Sequence, residues 1–351
     1  MNRRDFIAAA TTAVTGPTLL GMTNKAGTDT PVVGEKDLKF ECHHGWGTLP
    51  GELEWQTTHG TAVDSQGLIY ITHQSTAAKK LDTVVVFDDK GKYVRSFGNQ
   101  WAGGGHGIDI RKEGSDEFIY LCHMSKDGPV VKTTLKGDIV WSKGRPETDE
   151  YKDATKKYNP TNIAFAPNGD FFVSDGYGSG YIQKFDKDGK LLLTFGGAGK
   201  ETGKFATPHG LWVINAAPKV DVLVVCDRAN ARLQTFDLDG KFLMASKKDE
   251  VFFPANIDMK GRLVLVPDLH TRIGINNLDT NTWVHLGNDD DWRKKVVDSL
   301  GKGKGPAVRS QPKAWPAGKF VHPHDACFDA AGNIIVAEWV QGGRVTFLKK
   351  V

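Results

Sequence analysis

Four cysteines in 351 residues, Cys42, Cys122, Cys226 and Cys327, lie far apart and form no C-x-x-C pair. That excludes a disulfide scaffold and a zinc ribbon, and leaves four small apolar side chains suited to a buried interior. No stretch reaches eighteen uninterrupted apolar residues, so the sequence is not that of a multi-span membrane protein. Charge of one sign is scarce too. The net charge is +3, and Arg3, Arg4, Asp5 and Lys25 near the N-terminus account for +2 of it. The rest is close to neutral, which gives no electrostatic case for a nucleic-acid partner. Glycine, by contrast, is abundant: 40 residues, about 11% against a usual ~7%, as expected of a chain with many tight turns. With 39% hydrophobic and 25% charged residues the chain is not disordered and has ample material for a core.

Residues 1–30 read as an export address. Two arginines precede Phe6 and an apolar, small-residue stretch that runs to about Met22. The R-R-x-F-[ILV] arrangement resembles the twin-arginine export motif, whose pathway carries folded proteins. The expectation is a periplasmic or secreted protein with no membrane span in its mature chain.

A repeat organises the rest of the chain. A short apolar strand, a turn with D-x-x-G or x-N-G, a second strand, a polar loop and a third strand ending in F-D-x-D-G-K recur with period-2 alternation. The clearest copies run over 59–98, 162–197 and 209–246; weaker ones start at His106, Ala255 and His324. Anchors at 59, 106, 161, 209, 255 and 324 are spaced by 47, 55, 48, 46 and 69 residues. Four-stranded propeller blades repeat at roughly 40–50 residues, so two insertions are implied: a linker near 144–159 and a longer one at 288–320. The longer opens with DDDWRKKVVDSL, which suits a short helix. The last unit has only three strands, near 325–329, 334–338 and 344–349, before the chain stops. LKFECHH (38–44), ahead of the first unit, supplies the missing fourth and closes the ring. The fold expected is all-β: a six-bladed β-propeller over 38–351, closed by pairing of its N- and C-terminal strands.

In such a ring the inner strands start on one face of the central channel, and the loops between second and third strands return to it. The anchors His59, His106, Thr161, His209, Ala255 and His324 therefore surround the channel mouth. Blades two, four and six carry histidine in G-H-G-I, P-H-G-L and P-H-D-A. Alternate blades are about 120° apart, so His106, His209 and His324 can converge on the axis. Three imidazoles with an open fourth position suit zinc. A lone histidine ordinarily caps a strand or bonds a carbonyl, but four of the eleven histidines fall at equivalent anchors. His59 breaks the alternation and either sits beside the metal or lines the channel. The loops add Tyr177 from V-S-D-G-Y, Arg228 from C-D-R-A-N-A-R and Asp325 next to His324. A tyrosine beside a cation can act as general base, and an arginine can clamp a carboxylate. The simpler readings are a packed aromatic ring and an ion pair within one blade.

These residues resemble the lyase domain of the peptidylglycine α-amidating enzymes, within the wider group of NHL-repeat propellers. That family carries its zinc histidines in P-H-G-L-like and P-H-D-I-like segments, matched here by GGHGI (104–108), TPHGL (207–211) and HPHDA (322–326). The resemblance implies zinc on His106, His209 and His324, Tyr177 as catalytic base and Arg228 as substrate-binding cation. It also implies a structural calcium on Asp325 and the carbonyl of Ile108. The chemistry implied is cleavage of a C–N bond in a carbinolamide, releasing an amide and glyoxylate, with a small-molecule or peptide-like substrate at the channel mouth. The departures are Gln74 where the family has a second arginine, His322 for a methionine and Gly178 for a cysteine. Two other functions fit the same fold: a propeller that binds a protein partner or ligand without catalysis, and a gluconolactonase-like calcium-dependent hydrolase, whose sites rely on Glu, Asn and Asp rather than histidine.

Overall fold

A computed structural model describes residues 21–23, 29–74, 81–217, 220–301 and 305–351. Six antiparallel sheets form the blades. Blade one comprises Thr57–Val63, Ile69–Gln74, Val84–Phe87 and Tyr93–Phe97. Blade two starts at Gly105–Glu113, blade three at Asn162–Phe165, blade four at Pro208–Ala217 and blade five at Asp258–Lys260. Blade six contributes Pro323–Phe328, Ile334–Glu338 and Arg344–Lys350.

The fourth strand of blade six is Leu38–His44, as the orphan segment predicts, paired antiparallel to the C-terminal strand with Leu348 opposite Cys42 and Lys350 opposite Phe40. Its alternation sends Phe40 and Cys42 into a core with Leu286, Phe320, Ile334 and Leu348. Two further strands extend this edge, Asp29–Glu35 and then Gly21–Thr23. The remainder of the expected export segment, 1–20 and 24–28, lies outside the described residues. Apolar clusters fill the gaps between neighbouring blades and take in all four cysteines, which are free and buried. Among the described residues no helix is long and apolar enough to cross a membrane.

The 288–320 insertion does contain a helix, Asp290–Asp298, started by the Asp289 side chain, which accepts from the Trp292 N–H at 2.9 Å. Trp292 and Val296 dock with Val308, Val321 and Val340, and the Trp292 indole N–H donates to the Phe320 carbonyl at 2.6 Å. The segment 144–159, expected as a linker, is instead built into the ring. Its Tyr151 is buried and donates to Asp175 at 2.8 Å.

The glycine after each of three anchor histidines has a packing reason. A Cβ on Gly107 would run into the Thr161 carbonyl, and one on Gly210 into the backbone of Asn256. Inner strands of adjacent blades meet there at backbone distance, with no room for a methyl group. Gly107→Ala is therefore expected to cost roughly 1–3 kcal/mol by overpacking, read as a lower denaturant midpoint; an unchanged midpoint would show that the strands can part freely. Blades three, five and six instead place Asn162, Asn256 and Asp325 at this position. Asn162 donates to Asn256, and Asn256 to Asp325, each at 2.5 Å, a polar chain running from blade three to blade six.

Candidate active site

All four anchor histidines meet at the channel mouth. The His106 ring lies 5.0, 4.9 and 4.8 Å from those of His59, His209 and His324, and His324 lies 4.7 Å from both His59 and His209. Three of them share one mode of support. Nδ1 of His106 sits 2.7 Å from the Thr161 carbonyl, Nδ1 of His209 2.6 Å from that of Ala255, and Nδ1 of His324 3.0 Å from that of His59. Each carbonyl belongs to the anchor of the next blade in the ring. A carbonyl only accepts, so Nδ1 carries the proton and Nε2 keeps its lone pair. His59 differs, bonding through Nδ1 to Thr57 of its own strand at 3.1 Å.

Burial holds all four neutral. It lowers the His106 imidazole to about 3 and carries His59, His209 and His324 well below the ordinary histidine range, with neighbouring cationic groups adding to it. Neutral imidazoles with free Nε2 atoms are the form that binds a metal. Nε2 of His324 is buried with no hydrogen-bond partner, an orphan that a cation would satisfy. Donor atoms of His59, His106 and His324 lie within 4.8 Å of one another, the one such group of three His, Cys, Asp or Glu among the described residues; it takes in His59 where the sequence pointed to His209. The imidazole set fits a divalent transition metal.

Tyr177 and Arg228 arrive where the loops were expected to bring them. The Tyr177 hydroxyl is 3.0 Å from His209 Nε2 and 3.3 Å from His106 Nε2, and Arg228 Nη1 donates to it at 3.3 Å. With both Nε2 atoms bare, the phenol donates towards the histidines and accepts from the arginine. Arg228 is buried between the Tyr177 and Phe253 rings, 5.2 Å from each centroid, and its Nε has no partner.

Above the histidines opens a cavity of about 550 Å³, lined by His59, His324, Tyr177, Arg228, Asn159 and Phe253, together with Gln74, Met124, Leu269 and Trp339. Met124, Arg228, Leu269 and Trp339 each follow the last residue of a second strand, His123, Asp227, Asp268 and Glu338, and Gln74 ends the second strand of blade one after His73. Those preceding residues fix the loops. Buried Asp175 accepts from the N–H groups of Asn159 and Ser179, Asp227 from Ala206 and the Arg232 guanidinium, and Asp268 from Phe252 and Phe253. Glu338 pairs with Arg344 and accepts from Val321. The sequence pointed to Tyr177, Arg228 and Gln74 but not to these supports or to Met124, Leu269 and Trp339. The signal was present as a carboxylate at one repeat offset, in S-D-G, C-D-R, P-D-L and A-E-W.

Below the histidines, Asp325 is buried and pushed up to about 8 by desolvation. Its carboxylate accepts from Asn256 at 2.5 Å, Ala326 N–H at 2.8 Å and Thr61 N–H at 3.0 Å. It borders a void of about 20 Å³ with Ile108, Asp109 and Asp258, room for one water-sized body.

No known protein-family profile matches the chain. It is similar to the peptidyl-glycine alpha-amidating monooxygenase of Mus musculus, 29% identical over 185 residues, which is 49% of this chain but 18% of that protein. The peptidyl-alpha-hydroxyglycine alpha-amidating lyase 1 of Drosophila melanogaster is 31% identical over 194 residues, covering 51% of this chain and 33% of the relative. NHL repeat-containing protein 3 of Mus musculus is 28% identical over 221 residues, 60% of each chain. Among solved structures, virginiamycin B lyase from Staphylococcus aureus superposes with TM-score 0.53 at 13% identity, over 89% of this chain and 100% of that one. A gluconolactonase from Xanthomonas campestris gives 0.58 at 11% identity, over 96% and 99%. At such identities the two structures share the fold and nothing finer. The chain is a six-bladed propeller, and over about half its length its sequence is similar to amidating lyases and NHL-repeat proteins at about 30% identity.

Proposed function

We propose that this protein is a metal-dependent lyase that cleaves the C–N bond of a carbinolamide, a reading supported by its similarity to a peptidyl-alpha-hydroxyglycine alpha-amidating lyase. The observation that carries the reading is the Tyr177 hydroxyl held within hydrogen-bond reach of two metal-ready imidazoles and Arg228. His106, His209 and His324, the three with matching cross-blade support, would hold a zinc ion, which when bound would supply a Lewis acid to polarise the substrate hydroxyl. Tyr177 would take the hydroxyl proton as it gives its own to the departing amide nitrogen, so that the C–O bond becomes a carbonyl while the C–N bond breaks. Arg228 holds the negative charge of the substrate, and the apolar wall of Met124, Phe253, Leu269 and Trp339 keeps water from the reacting carbon. A structural calcium on Asp325 and the Ile108 carbonyl would belong to the same proposal, and the small void that both residues border supports it.

The test is release of glyoxylate from small N-acyl-α-hydroxyglycines by metal-loaded protein. A folded, metal-loaded sample that releases none overturns the lyase reading and favours a binding module, for which neutral Gln74 in the cavity wall is the supporting observation. Export of the folded chain to the periplasm or beyond rests on the twin-arginine-like segment alone. Retention of an Arg3→Lys/Arg4→Lys variant inside the cell is the expected outcome, and unchanged export contradicts it.

A further inference from the structure

Arg309 sits in the 288–320 insertion, on a short 3-10 turn over Val308–Ser310. Its guanidinium lies over the Trp339 indole, 3.4 Å from the ring centroid, and Trp339 lines the cavity. Nε donates to the Trp339 carbonyl at 3.3 Å, and the Arg309 carbonyl accepts from the Gln341 N–H at 3.0 Å. The Val308 beside it is buried in the cluster with Trp292, Val296, Val321 and Val340, so the insertion delivers this arginine on a packed support.

What Arg309 lacks is a carboxylate. Arg232, Arg272 and Arg344 each pair with the acidic residue closing a second strand, Asp227, Asp268 and Glu338. No acidic group among the described residues pairs with Arg309, and burial alone lowers it, to about 10. A half-buried, unpaired guanidinium is costly to maintain. The cavity that Trp339 lines has no carboxylate in its lining and Arg228 as its one charged lining residue; Arg309 stands one side chain away from it, against Trp339. Gln74 in the same wall is neutral.

We infer that Arg309 is a second anion-binding residue of this site, supplied by the insertion, and that it shares the substrate carboxylate with Arg228. The inference rests on the lyase reading for the substrate's identity but not for its charge. The Arg309 Nη atoms take no hydrogen-bond partner among the described residues, and a planar guanidinium can give a carboxylate a bidentate contact.

The experiment compares binding of hippurate and its uncharged methyl ester to the full chain by calorimetry, with and without zinc. Wild type is expected to prefer the acid by about tenfold or more, and Arg309→Met, which keeps the stem on the indole, to lose most of that preference. Arg309→Lys keeps the charge without the fork and should fall between, providing the comparison if the methionine variant fails to fold. An unchanged acid-to-ester ratio in the variants, or no preference in wild type, overturns the inference. Binding is read without turnover, so the two proposals separate. Loss of preference in a protein that releases no glyoxylate removes the lyase reading and leaves the anion site. Glyoxylate release with an unchanged ratio does the reverse.

Discussion

Tyr177→Phe is expected to lower turnover of an α-hydroxyglycine by about 10²–10⁴-fold, the usual worth of a positioned general base. The substitution removes one oxygen and keeps the ring. The edge contacts of that ring with His106 and His209, at 5.3 and 5.4 Å, and the Arg228 guanidinium over its face do not need the hydroxyl. Stability should change by roughly 0–1 kcal/mol, because the lost hydrogen bonds are long and the side chain is half-buried. Arg228→Lys keeps a charge without the fork and should act mainly on substrate binding, raising KM more than it lowers kcat. Tyr177→Phe turning over as fast as wild type refutes the base role.

The second large effect is structural. A chain beginning at Trp46 lacks the strand that closes blade six, and it is expected to lose its cooperative transition or to aggregate. Phe40 is fully buried and Cys42 nearly so, and burying a side chain such as Phe contributes about 1.5–3 kcal/mol. The C-terminal strand would also be left with an unpaired edge in the middle of the ring. Against a total stability of about 5–15 kcal/mol these losses are large. Thermal or denaturant unfolding of the shortened chain is the check. Melting like the parent would mean that the ring does not depend on its seam.

How much of this was legible in the sequence depends on what repeats. Inner strands are constrained from both sides by their neighbours, so His-Gly at 59, 106 and 209 and His-Asp at 324 recur at a readable interval, and the missing fourth strand of the last unit pointed to Leu38–His44. The cavity wall is different. At its equivalent repeat positions stand Gln74, Met124, Arg228, Leu269 and Trp339, which share no chemistry, because a wall needs shape rather than a common side chain. The supports beneath them were readable in principle as Asp175, Asp227, Asp268 and Glu338, but in blades one and two His73 and His123 take the same position and break the pattern. His59 was visible as an anchor, yet only its Nδ1 contact to Thr57 sets it apart from the other three. The packing of Arg309 on Trp339 joins residues 30 positions apart across an insertion that belongs to no repeat, and nothing periodic could announce it.

The most direct test of the account is the transition-metal content of the purified full chain and its histidine variants, measured by elemental analysis. One zinc per chain is expected in the wild type, with a sharp fall in His209→Ala and near-wild-type content in His59→Ala. Zinc retained in full by the triple alanine variant of His106, His209 and His324, or lost from His59→Ala and kept by His209→Ala, contradicts the proposed metal centre.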